Sequence, residues 1–153
     1  MHIASLPWYD LPSTQQSLDQ FWSVLREAML DHGIEQIPAI LDRQSALETQ
    51  WTQPQLLLSQ CCGPDLFTPS AVHLRAFARP VFSDLDCAAG NYFSHIVASN
   101  FYTKGPAKLV VNSLSSRSGY GALVEWCHEK GIDPLETVIS GSHQNSLKAL
   151  REG

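Results

Sequence analysis

The sequence predicts an α/β protein built as two lobes with mainly parallel sheets. Three observations predict it. Short apolar runs bounded by turn residues recur at 2–6, 55–59, 109–111 and 137–139. Helical patterns of apolar spacing lie between them, and strands separated by helices pair in parallel. Two of the runs end in serine- and glycine-rich turns that feed directly into a helix start.

Taken in order, residues 2–6 form a first strand that Pro7 ends. Trp8, Tyr9 and Asp10 follow at its carboxyl end. The aromatic pair beside an acid is a candidate ligand wall, with Asp10 able to accept from an amine or a hydroxyl. The plainer alternative packs Trp8 and Tyr9 under a neighbouring loop. Ser13 or Thr14 caps the next helix. Leu18, Phe21, Trp22, Leu25 and Met29 then fall on one face and are read as core. Gly33 ends that helix. Ser45 and Glu48 have the spacing of a capping box for a short helix through Trp51.

Pro54 precedes a strand over 55–59 whose three leucines suit coverage on both faces. The run leads into Gln60-Cys61-Cys62-Gly63-Pro64, a turn in which Gln60 is a candidate ligand contact. A short helix is expected over 68–73. Weak alternation suggests a strand over 74–82, broken by Pro80. A loop follows over 83–91, then a strand over 92–99. Gly105 and Pro106 mark a loop. The first lobe is therefore assigned to 1–99, a hinge or linker to 100–107, and a partial second lobe to 108–153.

That second segment organises the functional reading. Leu109, Val110 and Val111 form a buried strand. Ser115, Ser116, Arg117, Ser118 and Gly119 form the turn, and a helix carries Val124 and Trp126. A second strand over 137–139, a Ser-Gly-Ser-His turn and a helix with Leu147 and Leu150 complete a βαβ unit. Both turns then share the carboxyl edge of one sheet, where open α/β sheets bind ligands. Helix starts present N–H groups and partial positive charge, which suits a phosphate-like anion without any lysine. Ser116, Ser118, Ser142 and His143 are the candidates to face one anion. Taken alone, the first turn is better read as an ordinary N-cap with a polar loop and His143 as a solvated surface residue, and it is the convergence of the two turns that favours an anion.

Composition limits the classes. The 153 residues include 44% hydrophobic and 16% charged positions, enough for a real core. A net charge of −5 argues against a nucleic-acid footprint, so an anion site must be local. No apolar run is long enough to span a bilayer, so membrane insertion is not expected. The opening MHIASLPWYD lacks a signal-peptide pattern and implies a cytoplasmic chain as written. Cys61, Cys62, Cys87 and Cys127 show no metal spacing, and the six histidines form no ligand pattern. No metal and no cofactor are expected.

The segments IASLPWYDLP, LLLSQCCG, GNYFSHIVASN, LVVNSLSSRSGYGAL and VISGSHQNSLKAL, in that order, carry a resemblance. The series resembles the phosphate/phosphonate-family substrate-binding proteins of bacterial ABC transporters, along most of the chain. The resemblance implies the type II periplasmic-binding-protein fold, two lobes closing on an anionic ligand, and an ABC permease as partner. It puts Ser116, Arg117 and Ser118 in the oxyanion-binding turn and His143 beside it. It puts Tyr9 and Tyr92 among the first-lobe contacts.

Three departures accompany it. Arg117 stands where a small hydroxyl residue is expected, and either adds a bond to the anion or points outward. No secretion signal precedes the first strand, whereas the resemblance implies a periplasmic location once a leader is removed. The second lobe stops after its second βα unit, so it is expected to be incomplete, with two chains pairing or swapping elements to cover it.

Four functions are weighed. The first is non-catalytic binding of phosphate, phosphonate or phosphite for an ABC transport system. The second is a cytoplasmic sensory domain of the same fold. The third is a hydrolase using Ser116 or Ser118 with His143 and Asp10, which the missing G-x-S-x-G elbow argues against. The fourth is a remnant without ligand.

Overall fold

A computed structural model of the chain describes residues 2–8, 10–100, 102 and 105–152. The chain mixes helix and strand with two small parallel sheets. It divides into two compact units, Met1–Cys61 with Asp65–Leu74, and Cys62–Pro64 with Arg75–Gly153. No helix among the described residues is long and apolar enough to cross a membrane.

The first unit is built on β1 (Ile3–Ala4), α1 (Gln15–Asp31), α2 (Leu47–Trp51) and β2 (Leu56–Leu58), with β1 and β2 parallel. Its core is Ala4, Leu6, Trp22, Ile37 and Leu41, with Leu18, Leu25, Met29, Leu57 and Leu58 packed against it. The apolar stripe of α1 thus faces inward except at Phe21, which is 56% exposed. Phe21 precedes Trp22 and is rotated about 100° from it around the helix, off the core-facing side.

α1 closes on a Schellman motif. Ile34 N–H donates to Met29 O at 3.0 Å, Gly33 N–H donates to Leu30 O at 2.9 Å, and Gly33 adopts φ 78°. At the other end Thr14 precedes the helix without a side-chain cap. Its hydroxyl lies instead 3.1 Å from Leu11 O.

The capping box expected at Ser45 and Glu48 does not form, because Ala46 holds the cap position of α2. Asp42 serves the preceding turn instead, its Oδ1 accepting from Gln44 N–H at 2.9 Å and Ser45 N–H at 3.0 Å. The turn is anchored to β1, since Asp42 N–H donates to Ala4 O at 2.8 Å. A partly buried chain of polar groups lies in the same unit. Ser5 Oγ and Ser59 Oγ lie 2.9 Å apart, and Trp51 Nε1 donates to Ser59 Oγ at 3.0 Å.

The second unit contains β3 (Ala107–Val111), α3 (Ala122–Lys130), β4 (Pro134–Ile139) and α4 (His143–Glu152). β3 and β4 pair in parallel, with Leu109 opposite Thr137 and Val111 opposite Ile139. α3 ends like α1. Gly131, at φ 64°, donates to His128 O, and Ile132 N–H donates to Cys127 O at 2.9 Å. Among the described residues Leu109, Val111 and Cys127 are its buried apolar groups, while Leu135 and Ile139 of β4 are 74% and 57% exposed.

The stretch before β3 departs from expectation. Residues 74–82 and 92–99 carry no strand, and 68–73 form turns rather than a helix. The helical turn falls earlier, at Gly63–Phe67. Phe77, Val81, Phe93 and Val97 are largely exposed. A strand needs a partner ladder and a covered face, and among the described residues these runs have no ladder.

Candidate functional site

The two serine turns lie in the second unit and are tied to each other. β3 ends at Val111 and β4 at Ile139, and the residues just beyond them exchange backbone bonds. Ser140 N–H donates to Val111 O at 2.8 Å, and Gly141 N–H donates to Asn112 O at 3.1 Å. Ser115–Gly119 and Ser142–His143 therefore open from one sheet edge. Parallel pairing dictates this, because both strands point their carboxyl ends the same way.

Each turn feeds a capped helix start. In the first, Ser116 is only 4% exposed, and its Oγ accepts from Gly119 N–H at 3.0 Å. Ser116 O accepts from both Tyr120 N–H and Gly121 N–H at 3.0 Å. This widened turn is a π-helical step over Arg117–Gly121 leading into α3. The amides of Arg117 and Ser118 precede the first intrahelical donor. Such amides are the ones a helix start leaves for an outside acceptor.

The second turn repeats the pattern. Ser142 Oγ accepts from Asn145 N–H at 3.1 Å, and Ser142 O accepts from Ser146 N–H. The amides of His143 and Gln144 hold the corresponding positions at the start of α4.

Two residues missed by sequence reasoning organise the edge. Ser140 Oγ lies 3.0 Å from Val111 O, 2.9 Å from Ser142 O and 2.7 Å from Ser146 Oγ, pinning strand end, turn and helix together. Asn112 has a buried Oδ1 with no hydrogen-bond partner among the described residues. Its backbone O is the one that receives Gly141. The only sequence signal for either is position, immediately after a strand and before a turn.

The other candidates fall as follows. Ser115 is exposed, with Oγ 3.3 Å from Ser113 Oγ. Arg117 donates to Glu125 Oε2 at 2.9 Å, so its guanidinium is engaged along the side of α3. That bond to Glu125 raises the Arg117 pKa. Tyr92 packs edge-on against Phe82, with ring centroids 6.4 Å apart. His143 is exposed.

Asp10 and Gln60 belong to the first unit. Gln60 Oε1 accepts from Trp8 N–H at 3.0 Å and fastens the chain after β1. Asp10 Oδ2 pairs with Arg43 Nε at 2.7 Å. Tyr9 lies outside the described residues. Among the described residues no three His, Cys, Asp or Glu side chains gather as a metal would need.

In chemical terms, the second unit offers hydrogen-bond donors from two helix starts with hydroxyls beside them. The two N-terminal dipole ends favour negative charge at this edge. No family model, no curated protein and no solved structure matches this chain.

Proposed function

We propose that the chain is a non-catalytic receptor for a small oxyanion of the phosphate, phosphonate or phosphite type. In this reading it serves as the substrate-binding component of an ABC transport system, with lobes of the type II periplasmic-binding-protein kind. One observation carries it. Two serine-capped helix starts stand side by side at the carboxyl ends of adjacent parallel strands, joined through Gly141 N–H and Asn112 O at 3.1 Å. The amides of Arg117, Ser118, His143 and Gln144 are the donors assigned to the anion, with the Ser118 hydroxyl beside them. Hydrogen bonds to a charged group contribute about 1.5–3 kcal/mol each. Four or five of them at the upper end of that range reach about micromolar binding when the ordering costs are at their lowest.

The test is thermal unfolding of the full chain with phosphate, methylphosphonate, phosphite and sulfate. A ligand at about 100 times its Kd stabilises by about 2.7 kcal/mol. Ser118→Ala is expected to weaken the response, and Cys61→Ala to leave it intact. A panel in which no oxyanion raises the midpoint refutes the assignment. So does an equal loss in both variants.

A further inference from the structure

We draw no further inference here: the strongest candidate, the outer edge and exposed face of β4 in the second unit, where Leu135 and Ile139 stand open to solvent, is an unpartnered apolar surface whose register shifts at its start, beside Ala107, and nothing in the structure shows what covers it.

Discussion

Replacing Gly119 by alanine tests the geometry of the first serine turn. A Cβ built there comes within 2.9 Å of Ser116 Oγ and still closer to Asn112 Oδ1. Neither neighbour is loose. Ser116 Oγ already holds Gly119 N–H at 3.0 Å, and Asn112 Oδ1 is buried. Alanine gains about 1 kcal/mol in helix propensity over glycine. Displacing the cap costs about 1 kcal/mol, and overfilling a packed site costs a further 1–3 kcal/mol or so. The net expectation is a loss of about 1–3 kcal/mol.

Urea unfolding followed by circular dichroism measures it, with Gly119→Ala, Asn112→Ala and the double variant compared as a cycle. The double variant should recover part of the loss, because removing the Asn112 amide opens the nearer of the two contacts. A Gly119→Ala chain as stable as the parent, or about 1 kcal/mol more stable, refutes the packing described for this turn.

Two other outcomes are expected in the first unit. Trp22→Ala should cost about 3–5 kcal/mol, since Trp22 is 1% exposed at the centre of the core; a Phe21→Ala variant, made at a position 56% exposed, should cost far less in the same unfolding assay. The carboxyl of Asp42 is held below the ordinary carboxylate range by the backbone N–H groups of Ser45 and Gln44, with the Ser45 side chain assisting and burial opposing. A lowered pKa means that its contribution is complete above the unfolded value of about 3.9 and is lost as pH falls through the folded value. The stability gap between the parent and Asp42→Asn should therefore hold from neutral pH down to about 5 and close at more acidic pH; a gap that widens on acidification contradicts it.

What could be read from the letters depended on whether a signal was local. The strand–turn–helix punctuation around Val111 and Ile139 is local, and the elements form there. The same holds for Gly33, whose positive φ and Schellman bonds follow from its place after an apolar-periodic run. The alternation over 74–82 and the apolar run over 92–99 are local too, yet they make no strand. Pairing requires a partner, and no pattern within a segment supplies one. Ser45 and Glu48 had the right spacing for a capping box, but Asp42 lies on a chain anchored to Ala4 and reaches the turn first.

The buried acceptors were the least legible. Asp10 was readable as an acidic group beside aromatics, but its sharing of Arg43 with Asp19 was not. Gln50 carries no signal at all in its own segment. It is buried with one end of its amide already engaged. Gln60, singled out as a ligand contact, uses its side-chain oxygen on Trp8 N–H.

The pairing of β3 with β4 alone has a consequence for deuterium exchange. Successive residues of a strand turn their N–H groups to opposite edges. In a ribbon of two strands only one set on each meets a neighbour, and among the described residues β4 has β3 as its sole neighbour. Its backbone therefore carries two populations of hydrogen, slow and fast, in alternation along the strand. That alternation is a fingerprint that a strand added beside β4 would erase, whether it came from this chain or another.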